Sequence, residues 1–222
     1  MSRIPQPRAD RGSQRWLQDF VARQDRRLEE PILSETKAQS IEWLSPLKDD
    51  DFAEYRDASF LELVGLGQFA DSLGQFWPQR GPVWDGLAIT NTGTVILVEA
   101  KAHIGEMDSS LAATSERSIS LINRSLSATA EALGSEMTPA WTEGLYQYAN
   151  RLAHLHFIRS IKGADAALVF VYFTGDADAG GPDSPEEWSA AVGRTRASLG
   201  LQHGLPAVVD VIVDVRDSST LL

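Results

Sequence analysis

Apolar residues along this chain fall into short blocks whose spacing alternates between helical and strand-like. Ser13 is placed to cap a helix through about Glu29, with Trp16, Phe20 and Leu28 among its apolar positions, and Pro31 predicts its end. Ser34 to Leu44 fits a short strand or a helix. Asp49, Asp50 and Asp51 then precede a helical segment near Phe52 to Val64, closed by Gly65 and Gly67, and a short helix fits Gln68 to Phe76. Further on, Ile119, Ile122, Leu126 and Leu133 give a helix over 116–133. Leu145, Tyr148, Leu152 and Leu155 give a stronger one over 141–161. Ala166 to Phe173 and Ala207 to Val215 read as strands. Ser184-Pro185-Glu186-Glu187 opens a helix, with a capping serine, proline at the first position and acids in the first turn.

The centre of the pattern is Trp84 to His103. Val95, Ile96, Leu97 and Val98 form a continuous apolar run, as expected of a strand buried on both faces. Asn91-Thr92-Gly93 fits a three-residue hairpin loop with glycine at the left-handed position. That loop pairs Thr90 with Thr94 and sets Asp85 opposite Glu99. Glu99 and Lys101 are two apart, so they share one face of their strand. Like charges directly opposite repel, and buried charges are costly unless paired or bound to a metal. A divalent cation between Asp85 and Glu99 would turn that cost into a site.

The order of elements predicts an α/β fold, a mixed central sheet flanked by helices. Residues 1–12, with two prolines and little apolar content, predict a disordered N-terminus. Residues 13–222 predict a single domain, with a helical insertion near 105–140 packed beside the core or serving as a mobile flap.

Charge narrows the choice of partner. The formal net charge is −11, which argues against general adhesion to nucleic acid. Residues 1–30 nevertheless carry seven arginines against five acids, and residues 116–162 are near balance. Any nucleic-acid surface is therefore expected to be local, on the N-terminal arginines or on Arg117, Arg124, Arg151, Arg159 and Lys162. There is no cysteine, which excludes disulfides and thiolate metal sites. The first residues hold no apolar run of the kind a leader needs, and no stretch is long enough to span a bilayer. A cytoplasmic protein is expected. The four histidines show no zinc spacing, and there is no nucleophile elbow or phosphate-cradling glycine loop.

Pro82-Val83-Trp84-Asp85 followed by Glu99-Ala100-Lys101 resembles the PD-(D/E)XK, or restriction endonuclease-like, nuclease superfamily. The resemblance implies a core of one helix, three strands, a helix and a strand, here extended by a C-terminal helix and strand. It implies that Asp85 and Glu99, with the backbone of Ala100, hold magnesium or manganese, and that Lys101 assists the attacking water. It further implies an acid upstream. Glu62 is preferred over Glu54, being flanked by Leu61 and Leu63 and closer in sequence to the strand pair. On the 141–161 helix, Gln147 and Arg151 are candidate substrate-binding residues. The expected activity is hydrolysis of phosphodiester bonds, with DNA as the substrate, and a homo-oligomer or a protein as a further partner. The rival expectation is a non-catalytic acidic binding partner, or a relative whose nuclease site has lapsed.

Overall fold

A computed structural model describes residues 3–201 and 204–216. The chain is a mixed α/β structure around a five-stranded sheet. Its strands are β2 (Ile41–Ser45), β4 (Gly86–Thr90), β5 (Val95–Lys101), β6 (Ala166–Thr174) and β7 (Val208–Asp214), adjacent in that order. The first three form an antiparallel meander, whereas β6 pairs parallel to β5 and β7 parallel to β6. Parallel neighbours need crossovers, and helices supply both of them. A second, two-stranded sheet joins β1 (Arg3–Ile4) to β3 (Glu54–Tyr55).

Every residue of β5 and β6 is buried, because helices cover both faces. On one face lie α1 (Gly12–Arg23) and α2 (Arg26–Thr36). Leu17, Phe20, Leu28 and Ile32 meet Ile96, Val98, Val169 and Val171 there. The other face carries α3 (Asp57–Leu63), α4 (Ala70–Phe76), α5 (Glu116–Ala132), α6 (Tyr146–His156) and α7 (Pro185–Ser198). Leu87, Leu97, Leu168 and Phe170 pack into that second core with Phe60, Leu126, Leu152 and Trp188. Odd residues of β5 and even residues of β6 thus face the second core.

Several expectations are corrected. Residues 3–12 are held: Arg3 and Ile4 pair with Tyr55 and Glu54, and the Gln6 amide donates to the Asp51 carbonyl at 2.9 Å. The prolines that suggested disorder cost little here, since this segment pairs only over two residues. The first helix does not run to Glu29. It breaks at Gln24 (φ 50°), and Asp25 caps a new helix that carries Pro31 inside it. Burial of Leu28 and Ile32 outweighs the backbone bond the proline forgoes. The undecided stretch 34–44 splits into the end of α2 and the start of β2. Ser13 is inside α1, and its hydroxyl donates to Glu106 at 3.2 Å. The proposed 52–64 helix starts only at Asp57, leaving Glu54 on a strand. Over 116–132 the helix packs against the core through Ile122, Leu126 and Ala130. No helix among the described residues is long and apolar enough to cross a membrane.

The loop after β6 closes against the end of β5. The Gly181 amide donates to the Asp176 carbonyl, and a Cβ at Gly181 would fall 2.1 Å from the carbonyl oxygen of Ala102. Only glycine allows that approach. Gly181→Ala should push the loop off the strand and cost about 1–3 kcal/mol, read as a lower urea midpoint at unchanged slope.

Candidate functional site

The hairpin places the acidic residues as its loop chemistry requires. Gly93 adopts φ +87°, its amide donates to the Thr90 carbonyl at 2.9 Å, and the Thr90 amide donates to the Thr94 carbonyl at 3.0 Å. Gly86 pairs with Val98 at the end of the ladder, so Asp85 stands in the bend just beyond it, next to the Glu99–Ala100 end of β5. Asp85 is partly buried, and one of its carboxyl oxygens accepts the Ala100 amide at 2.7 Å.

Glu99 and Lys101 point together toward α6. The Lys101 ammonium bonds one Glu99 oxygen and also donates to the Gln147 side-chain carbonyl at 3.0 Å. The other Glu99 oxygen takes Arg151, at 2.7 Å from Nε and 2.5 Å from a terminal nitrogen. Arg151 is spent inside the protein. It also reaches the Val83 carbonyl at 2.8 Å and the Asn150 side chain at 2.9 Å, and it lies over the Trp84 ring at 4.9 Å. It is only 3% exposed, which corrects the expectation that it contacts substrate. The helical-face argument fails because α6 is buried on nearly every side, against the sheet and against α5. Gln147, in contrast, does reach the site through Lys101.

The electrostatics follow from burial and partners. Burial works against the charge on Glu99, but Arg151 and Lys101 outweigh it and hold its carboxyl below the ordinary value. Asp85 has no such pairing. Burial, and next the charge of Glu99, push its carboxyl up to about 8. Glu54 is also raised, chiefly by burial, and it feels Glu99 as Asp85 feels Glu54.

Glu54, not Glu62, is therefore the upstream acid near the pair. Glu62 is exposed, on the outer side of α3, while Phe60, Leu61 and Val64 take the inner side. Sequence distance favoured Glu62. The strand at 54–55 reverses that, because Tyr55 bridges Trp84 in the antiparallel sense and brings Glu54 near enough for Asp85 to feel its charge.

The histidines do other work. His103 caps a 3₁₀ turn by accepting the Gly105 amide at 2.9 Å. His154 is buried among Phe60, Trp77 and Trp84, its Nδ1 is 2.8 Å from the Asn150 carbonyl, and burial pushes its imidazole down to about 3. His203 lies outside the described residues. Gln6 and Gln14, which bond Glu54, carried no signal in the sequence.

As a donor set, Asp85, Glu99 and Glu54 offer hard oxygens of the kind magnesium takes with retained waters. Asp85 keeps one oxygen outside its bond to Ala100, and each carboxylate oxygen of Glu99 has a second lone pair. The chemistry of these residues therefore fits such an ion. Among the described residues, however, no group of three or more His, Cys, Asp or Glu side chains converges on one point.

No family model matches the chain, and neither a curated protein nor a solved structure matches it.

Asp85 gives this site a pH signature. Its carboxyl titrates near 8 in the fold against 3.8 as its ordinary value. Between those values the folded state holds more protons than the unfolded one, so stability falls as pH rises through that window. Asp85→Asn abolishes this term. In chelator, the variant should match the wild type near pH 4 and exceed it by at least about 2 kcal/mol near pH 8, measured by urea unfolding at both values.

Proposed function

We propose that the chain is a metal-dependent nuclease of the PD-(D/E)XK type, hydrolysing phosphodiester bonds in DNA. The observation that carries the reading is the proximity of three residues at the end of the hairpin: Asp85 accepts the amide of Ala100, and the residues on either side of Ala100, Glu99 and Lys101, are bonded to each other. The order of elements supports it: helix, the meander β2-β4-β5, α6, then β6 parallel to β5 is the order that the resemblance implies.

Asp85 and Glu99 would hold magnesium or manganese. When bound, such an ion lowers the pKa of a water and offsets charge on the phosphate. Lys101 is the group that would hold or move a proton at that water, or offset charge on the phosphate. Gln147 fixes where the ammonium sits, by accepting one of its hydrogens. DNA contact would be local. Arg3, Arg8, Arg15, Arg26 and Arg27 all lie within 4 Å of acids of this chain, and Arg159 pairs with Asp165. Arg117 and Arg124 on α5 are exposed beside Gly74 and Gln75, and they line an open cleft of about 380 Å³.

A second reading, a non-catalytic acidic binding partner or a relative whose nuclease site has lapsed, draws on one observation. Lys101 and Arg151 already neutralise Glu99 without any added cation.

Magnesium separates the two. In the first reading, it raises the melting temperature of the wild type. Asp85→Ala or Glu99→Ala removes that rise along with cleavage, and Lys101→Ala lowers turnover at least about 100-fold while keeping the rise. No magnesium-induced rise in the wild type would select the second reading.

Arg117→Ala and Arg124→Ala should each lower the slope of log affinity for DNA against log salt by about one unit, with folding unchanged. A slope unchanged in both would remove α5 from the DNA surface.

A further inference from the structure

Three acids lie near one another on neighbouring chain segments, Asp85 feeling the charges of both Glu99 and Glu54. The Trp84 amide donates to the Tyr55 carbonyl at 3.0 Å in an isolated antiparallel bridge, which brings the neighbouring residues Glu54 and Asp85 into the same region. Beyond the last hairpin pair, Gly86 with Val98, Asp85 accepts the amide of Ala100, the residue next to Glu99. On the far side of Glu54 lies Ile4 of β1. Such a group of like charges is unfavourable unless each member is held by something.

The holders differ in kind. Glu99 has two cations, Lys101 and Arg151. Glu54 has two neutral amides: the Gln6 side chain donates to one oxygen at 2.9 Å, and the Gln14 side chain donates to the other at 3.1 Å. An arginine in their place would cancel the charge. Amide donors fix the direction of a carboxylate and leave its charge and remaining lone pairs in place.

Gln6 comes from the N-terminal strap, residues 3–12, and Gln14 from the first turn of α1 that follows it; the strap is anchored at several points. Arg3 bonds Asp50 at 2.7 Å and Asp51 at 3.1 Å. The Ala9 amide donates to Gln18 at 2.9 Å. Gly12, at φ +71°, turns the chain into α1, which brings Gln14 back to the acid that Gln6 already touches. Ser13 bonds Glu106, whose other oxygen accepts the Ala102 amide just beyond Lys101. The strap and the start of α1 thus grip both flanks of the candidate site.

We propose that Gln6 and Gln14 are positioning residues that fix the direction of the Glu54 carboxyl group beside Asp85 and Glu99, so that it strengthens cation binding there. This rests on the metal-site reading above. Magnesium and manganese are commonly held by one or two carboxylates and retain waters, so Glu54 would act on an ion held by Asp85 and Glu99 through its charge, without converging with the other two.

The test is calorimetric titration of the full chain with manganese alone, on the wild type, Gln6→Met/Gln14→Met, Glu54→Gln, and all three changes together. Methionine keeps the length of glutamine and removes its donors. The glutamine pair variant should bind manganese about tenfold or more weakly, as Glu54→Gln does. On the Glu54→Gln background the glutamine changes should add nothing, because their effect passes through Glu54. Wild-type affinity in the pair variant overturns the proposal and leaves the metal site standing. An equal loss on the Glu54→Gln background also overturns it, since that marks a general structural role. No manganese binding by the wild type overturns the metal-site reading and this proposal together. If the pair variant fails to fold, Gln14→Met alone, with and without Glu54→Gln, carries the same comparison.

Discussion

Glu99 keeps a negative charge at the inner face of the sheet, and the surrounding structure is arranged around that charge. A carboxylate so buried is tolerated only with excellent pairing, and removing one partner of such a pair typically costs about 3–5 kcal/mol. Arg151 supplies the pairing from α6, Lys101 from the same strand. Arg151 also bonds the Val83 carbonyl, so the charge that fixes α6 against the sheet fixes the approach to Asp85 as well. Gln147, one turn before Arg151, settles the other end of Lys101. Strand, helix and the segment entering the hairpin are thus locked by one ionic cluster.

The apolar packing explains why the cluster sits where it does. β5 and β6 are covered on both faces, and their side chains alternate between two separate cores. The alternation that sends Leu97 toward α6 sends Glu99 and Lys101 the same way. Toward their ends, the sheet gives up apolar contact and takes polar partners from α6. A second polar group sits further along the same face. Arg196 of α7 bonds the Tyr148 hydroxyl at 3.0 Å and Asp210 at 2.6 Å, between α6 and β7. Burial raises both Asp210 and Tyr148 there, the latter to about 12.

Much of the architecture was legible because it rests on local chemistry. The Asn91-Thr92-Gly93 loop, the apolar run 95–98, the strand at 166–173 and the Ser184-Pro185 helix start are all set by residues close in sequence. Their partners were implied as soon as the loop type was recognised. Helix boundaries were less legible. The break at Gln24 and Asp25 replaces a helix that periodicity carried to Glu29, because capping by Asp25 and burial of Leu28 and Ile32 favour a second helix. The strap at 3–12 and the strand at 54–55 were invisible. Each is two residues of pairing between distant segments, below the length at which a period can be read.

The sequence by itself determined the hairpin register that ends at Gly86 and Val98, and that Lys101 would share a side with Glu99. A three-residue loop leaves one register, and a strand has a period of two. Only the tertiary structure decided what those groups meet. It turned Arg151 inward to Glu99, turned Glu62 outward, and brought Glu54 beside Asp85 with Gln6 and Gln14 on its oxygens. Those choices depend on how α6 docks and on which strand ends beside Trp84. Docking is settled by packing among residues tens of positions apart, and no local spacing encodes it.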